Sequence, residues 1–446
     1  MALTFRGGIH VDENKNTSRM RIEPMSDPDV VSIPMAQHIG APAQPLVKKG
    51  DRVLIGQKIG EVPEGALGCP VHSSVSGIVT DISKKITPSG AKVEYITIEN
   101  DHKNERTEDN KPIGKKLSEA TPEEIIELVR EAGISGMGGA AFPTYAKMKS
   151  AIGKADTLIV NCAECEPFIT VNHRLLLEKP TDVINGVKVM IRALGVKQAF
   201  IAVEDNKQDA VKLMEKYAEK TSMISVKVVK TKYPQGDERQ LIYALTRKEV
   251  PVGKLPADVG CVIFNPETCA AVYNAYSTGH PLRARIVTVD GDCIRRPKNL
   301  LVPLGTSISD LISYCGGLVK TPKKIVIGGP MMGVAQWDAS MPVTKSTSAV
   351  LVFSEKFDRK KVEHPECIHC GRCVNNCPMH IMPMYIAQFS MKNDLASAEE
   401  YGAMCCVECG SCSYNCPAGV DIVQHIRVVK AAIKNEKSRL AAQEKK

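Results

Sequence analysis

No segment of this 446-residue sequence reaches the ~18–20 consecutive apolar residues that a membrane-spanning helix requires. The start, Met1 to His10, lacks the apolar stretch of a secretory signal, so the chain is expected to stay in the compartment where it is made. A strong excess of one charge is also missing: the net charge is +8 with 24% charged residues of both signs, and nothing calls for a nucleic-acid partner. The one basic concentration, the tail from Lys430 to Lys446, reads as a solvated helix with a frayed end. Neither the G-x-G-x-x-G dinucleotide fingerprint nor a P-loop occurs. What remains is a chain long enough for three or more domains.

Cysteine is abundant. Sixteen cysteines in a large chain without a signal point to metal ligation rather than disulfides, and half of them fall in two tight clusters. Residues 367–378 read CIHCGRCVNNCP and residues 406–417 read CVECGSCSYNCP, both C-x2-C-x2-C-x3-C-P. Three thiolates at two-residue intervals wrap one face of a cubane, while the fourth, before proline, reaches the neighbouring cluster. The pattern therefore predicts two [4Fe-4S] clusters with exchanged fourth ligands. One takes Cys367, Cys370, Cys373 and Cys416; the other takes Cys406, Cys409, Cys412 and Cys377. Gly371 and Gly410 give the ligand loops backbone freedom, and Pro378 and Pro417 end them. Zinc sites come as separated C-x2-C pairs and need no trailing x3-C-P. Cys405 shifts the register by one and is read as a spectator. Helical spacing after Met384 joins the two loops, giving a ferredoxin-like module over 362–435.

In the middle of the chain, Thr121-Pro-Glu-Glu124 is a capping box with proline at the first helical position, so a helix runs over about 122–131. Strand-like runs at 157–162, 198–204 and 224–229 alternate with helical stretches at 181–194 and 207–219. That order implies a parallel sheet with crossover helices. Between them lies GISGMGGAAFPTYAK, residues 133–147, whose backbone amides and lysine suit either a phosphate or an ordinary turn. Cys162 and Cys165 form a C-x-x-C that reads as a redox or metal pair, or as part of a cofactor's surroundings.

The segment SGMGGAAFPTYAKM resembles the flavin and NADH loop of the flavoprotein subunit of respiratory complex I. Three further segments are similar to that family in the same order: Asn161-Cys-Ala-Glu-Cys-Glu-Pro167, Tyr233-Pro-Gln-Gly-Asp-Glu238 and Phe264-Asn-Pro-Glu-Thr268. The resemblance implies that Gly136, Gly138, Gly139 and Lys147 hold the FMN phosphate, with Asn161, Glu164, Tyr233, Gly236, Asn265 and Thr268 around the flavin. It implies further that Phe142, Glu166, Asp237 and Glu238 face NAD(H). Met148, Lys149 and Ser150 depart from that family, which carries further aromatics after its lysine.

Residues 46–100 read as short strands like a biotinyl or lipoyl carrier, but no lysine lies between Glu61 and Val75, so the module is structural. Residues 283–355 resemble the small β-grasp (SLBB) domain that follows the flavin domain in complex I. The expected architecture is multidomain α/β. An N-terminal segment (1–45) leads to a barrel-sandwich hybrid (46–100), a Rossmann-like FMN/NADH domain (115–280), the β-grasp domain, an α-helical two-[4Fe-4S] domain and a basic tail (436–446). With the opening FRGGIHVDENK, this arrangement resembles the RnfC family, found in Rnf complexes, membrane ferredoxin:NAD+ oxidoreductases that export sodium or protons. The resemblance implies other Rnf subunits as partners, an iron-sulfur subunit among them, and a peripheral position on the cytoplasmic face of the membrane. A cobalamin or corrinoid reductase and an electron relay that binds no NADH are the rival readings.

Overall fold

The computed structural model describes residues 3–357, 362–363 and 365–443. The end of the basic tail, residues 444–446, lies outside them, as do Met1 and Ala2.

The central domain is a four-stranded sheet in the order Ile224–Val229, Gln198–Glu204, Thr157–Cys162, Cys261–Phe264, with every pair parallel. Thr157–Cys162 and the edge strand beside it, Cys261–Phe264, are rich in β-branched residues and buried almost throughout, as helices on both faces require. The chain steps outward from Thr157–Cys162 and then returns to add Cys261–Phe264 on the other side. The reversal opens a crevice at the carboxyl ends of these two neighbours, where ligands bind in open α/β sheets. Helix Pro122–Glu131 carries the capping box: Thr121 Oγ1 accepts from Glu124 N at 3.2 Å, and Thr121 N donates to the Glu124 carboxylate at 3.0 Å. Helices Pro180–Leu194 and Pro266–Thr278 pack so closely that a Cβ on Gly186 would stand 1.9 Å from the Cys269 carbonyl oxygen. Only glycine fits there.

The opening segment belongs to no single domain. Val30–Pro34 pairs with Lys92–Asn100, so the barrel-sandwich module begins before residue 46, and Ile22–Pro24 adds an edge strand to the six-stranded β-grasp sheet. Both strands precede the carrier-like run, and neither has turn residues that set it apart from a linker.

In the cysteine-rich domain, Gly371 (φ 71°) and Gly410 (φ 78°) start one-turn helices from left-handed positions that glycine adopts without strain. The link between them is two helices, Pro383–Met391 and Leu395–Glu400, broken at Asn393 (φ 55°). Helix Ile422–Gln443 packs Ile422, Ile426, Val429 and Ile433 against them, then runs on into solvent as expected of the tail. Among the described residues, no helix is long and apolar enough to cross a membrane.

Candidate functional site

The cysteines assemble in crossed sets. Cys367, Cys370, Cys373 and Cys416 line one cavity, and Cys377, Cys406, Cys409 and Cys412 line another. Among the described residues, no three His, Cys, Asp or Glu side chains converge as ligands of a single ion. Four thiols around a cavity fit a multi-iron cluster, whose corners are spread, rather than one tetrahedral zinc. Apolar walls from Ile381, Pro383, Val423 and Ile426 close the second cavity. On the rim of the first, Cys370 and Ile368 are exposed. Cys405 lines neither cavity.

The flavin candidates gather at the sheet's reversal. Asn161, near the end of one strand, donates to the Gly236 carbonyl at 2.8 Å. Asn265 follows the other, caps helix Pro266–Thr278 through Glu267 N at 2.9 Å, and donates to Asn172 Oδ1 at 3.3 Å. The glycine loop leans on the same helix: Thr268 Oγ1 accepts from Met137 N at 3.1 Å, and a Cβ on Gly138 would lie 3.1 Å from Asn265 Nδ2. Gly136 N donates to the Phe142 carbonyl at 2.8 Å, closing the loop. At its tip Gly139 takes φ 77° with open space where a Cβ would stand, a cradle suited to the close approach of a phosphate. Lys147 sits 3.5 Å from Glu238 and over the Phe264 ring, bringing a cation to the crevice edge.

Other candidates are engaged elsewhere. The Glu166 carboxylate accepts from Met331 N (3.1 Å) and Met332 N (2.9 Å) of the β-grasp domain; burial raises its pKa to about 7. The Tyr233 hydroxyl donates to the Cys409 carbonyl at 2.6 Å, tying the loop 233–238 to the second cysteine cavity. Asp237 caps helix Glu238–Thr246, and burial raises its pKa to about 6. Glu164 accepts from Asn172 N and His173 N at the start of helix Val171–Glu178, and its pKa is raised by burial. Cys162 and Cys165 are free thiols whose pKa values burial drives upward, so they are poor thiolates and suit a packing role. Cys165 Sγ accepts from Gly236 N at 3.3 Å.

Residues that the sequence did not single out complete the site. Asn172 joins Glu164 to Asn265, and Met331 packs against Tyr233, Ile9 and Cys409. Lys15 donates to three carbonyls of the acidic loop. Only the opening FRGGIHVDENK held a signal for any of these, and in it the lysine looks like one more solvated charge.

Known families match these parts in the same order. A "RnfC Barrel sandwich hybrid domain" matches residues 3–103, a "Nuo51 FMN-binding domain" residues 129–274, an SLBB domain residues 286–335 and a "4Fe-4S dicluster domain" residues 366–420. A solved NAD+-reducing [NiFe]-hydrogenase shares the fold at a TM-score of 0.51 and 19% identity, over 71% of this chain and 62% of that one. The chain is 43% identical to the C component of the Na+-translocating ferredoxin:NAD+ oxidoreductase complex of Acetobacterium woodii, over 96% of this chain and 97% of that one. It is 44% identical to the C component of the proton-translocating ferredoxin:NAD+ oxidoreductase complex of Clostridium ljungdahlii, over 97% and 94%. To its counterpart in the ion-translocating oxidoreductase complex of Rhodobacter capsulatus it is 41% identical, over 98% and 85%. With these domains in this order and this identity over nearly its whole length, the chain belongs to the RnfC family of ion-translocating ferredoxin:NAD+ oxidoreductase subunits.

Proposed function

We propose that this chain is the peripheral subunit that passes electrons between two [4Fe-4S] clusters and NAD(H) by way of FMN, within an ion-translocating ferredoxin:NAD+ oxidoreductase. The observation that carries this reading is the contact between the two halves of the site. The loop 233–238 borders the crevice through Gly236 and Asn161, and through Tyr233 it is hydrogen-bonded to the backbone of a cluster ligand, Cys409. FMN, when bound, exchanges a hydride with NAD(H) and single electrons with iron-sulfur clusters.

The protein's own part is to hold and orient. Gly136, Gly138, Gly139 and Lys147 would receive the phosphate; Asn161, Glu164, Gly236, Asn265 and Thr268 would frame the ring. Phe142, Asp237 and Glu238 would face the nicotinamide stacked on that ring, a geometry that hydride transfer requires. Tyr233 and Glu166 serve the same reaction by fixing the cluster domain and the β-grasp domain against that crevice. The second cysteine set faces the flavin domain. The first set, with its exposed rim, would face the partner iron-sulfur subunit.

Relatives of nearly equal identity carry sodium in one name and a proton in the other. The choice of ion therefore belongs to the membrane subunits, on whose cytoplasmic face this chain would sit. Full-length similarity to members of such complexes favours this reading over the corrinoid reductase. The test is an anaerobic NADH titration of the FMN-reconstituted protein, followed by flavin absorbance and cluster EPR. Bleaching of the flavin is expected. A flavin that stays oxidised while dithionite reduces two clusters would make the chain a relay.

A further inference from the structure

The opening strap links all the parts of the site. Leu3 bridges to the sheet edge at Val229, Gly8 N donates to the Asn376 carbonyl at 3.0 Å, and Ile9 exchanges both backbone hydrogen bonds with Tyr233 at 2.7 and 2.8 Å. Phe168 N then donates to the Glu13 carbonyl at 2.8 Å, and Thr17 meets Thr170 hydroxyl to hydroxyl at 2.5 Å. Between these two points the Lys15 ammonium reaches across and donates to the carbonyls of Glu164 (2.8 Å), Glu166 (2.7 Å) and Ile169 (2.7 Å).

Three donors of one ammonium are thus matched to three carbonyls within the short stretch 164–169 of the acidic loop. Without it, those oxygens would have no cation to converge on. The loop could rotate its peptides and turn carbonyl dipoles toward the crevice, where anionic phosphates and a reduced flavin would be disfavoured by them. The two carboxylates in the loop cannot substitute, because an ionised carboxylate only accepts: Glu164 accepts from the Asn172 and His173 amides and Glu166 from those of Met331 and Met332.

We infer that Lys15 is the positioning residue of the nicotinamide and flavin loop, holding the peptides of residues 164–169 in the orientation that leaves the crevice open to its anionic ligands. This rests on the reading above and adds a residue whose ammonium is spent on backbone carbonyls, so that it acts through the loop. It also gives the strap a duty: it registers the acidic loop against the cluster domain.

The test compares wild type, Lys15→Met and Lys15→Arg as full-length reconstituted proteins. Amide hydrogen exchange is measured by mass spectrometry and NADH kinetics in parallel, with dithionite-reduced cluster EPR as the check on folding. In Lys15→Met, exchange is expected to accelerate in peptides covering 163–170 and not in the β-grasp or barrel-sandwich sheets. KM for NADH should rise about tenfold with kcat changed less than about twofold. Lys15→Arg, which keeps the charge and the donors, should recover part of both. Wild-type exchange over 163–170 in Lys15→Met, or a loss confined to kcat, would overturn the inference. If even wild type is not reduced by NADH, the proposed function fails while the exchange comparison still decides the role of Lys15. A Lys15→Met protein that does not fold leaves Lys15→Arg to decide: exchange like wild type throughout, with unchanged KM, would count against a geometric requirement.

Discussion

Gly7 stands where the strap crosses the second cluster's ligand loop. Its φ of 82° is left-handed, and a Cβ there would lie 2.7 Å from the carbonyl oxygen of Cys377, the proposed fourth ligand of the second set. Gly7→Ala would cost about 1–2 kcal/mol for the left-handed conformation. Relieving a contact against rigid backbone would add about 1–3 kcal/mol. A loss of about 3.5 kcal/mol, the middle of that combined range, is concentrated on one loop and is expected to show there before it shows globally. The cluster of Cys377, Cys406, Cys409 and Cys412 should give an altered EPR signal and be lost first on mild oxidation, while the other cluster keeps its signal. NADH-driven reduction of a one-electron acceptor should slow. Gly50→Ala is the matched control: Gly50 has φ 93° and nothing within 4 Å of its Cβ position, so it carries only the conformational cost of about 1–2 kcal/mol. Equal effects of the two substitutions, or wild-type spectra and rates in Gly7→Ala, would refute the claim that the strap sets the position of this cluster.

Cys416→Ala should remove about half of the iron and the cluster of the 367–373 loop, although Cys416 lies in the other motif; Cys377→Ala should do the reverse, as assigned by EPR. Tyr233→Phe keeps the ring but leaves the buried Cys409 carbonyl unpaired, and should lower stability by about 1–2 kcal/mol in denaturant melts and slow transfer to the clusters. Lys345→Met orphans the carbonyls of Pro70 and Gly133, which its buried ammonium joins at 2.7 Å each, and should cost about 2 kcal/mol at pH 7. Burial lowers the Lys345 pKa from 10.5 to about 8. Between those values the unfolded chain binds the proton and the folded one does not, so wild-type stability should rise with pH through that window, and Lys345→Met should lose the rise.

The parts of this protein that rest on local chemistry were legible in the sequence alone. The capping box at Thr121, the β-branched strands of the parallel sheet and the cysteine spacing each carry their cause within a dozen or so residues. The strap could not be read that way. Val30–Pro34 and Ile22–Pro24 are strands because of partners some 65 and 275 residues away, and short edge segments take their pairing from the sheet that accepts them. Lys15 was hidden for the same reason: its carbonyl partners lie about 150 residues further on. The acidic loops were found by resemblance, but resemblance assigns each residue one role.

Tyr233 and Glu166 show why that assignment separates into two. On the proposed reading, hydride transfer at one end of the crevice and single-electron transfer at the other would both depend on fixed distances, and a flavin shared by both reactions would place their partners within the width of one loop. Two residues of the loops at the crevice, Tyr233 and Glu166, accordingly also contact the cluster and β-grasp domains. Tyr233 spends its hydroxyl on Cys409, and Glu166 its carboxylate on Met331 and Met332. A substitution at either of them changes the crevice and the domain contact together. Activity alone cannot divide the two effects. A variant of Tyr233 that loses electron transfer to the clusters but still bleaches the flavin with NADH locates its duty at the domain contact; loss of both locates it at the crevice.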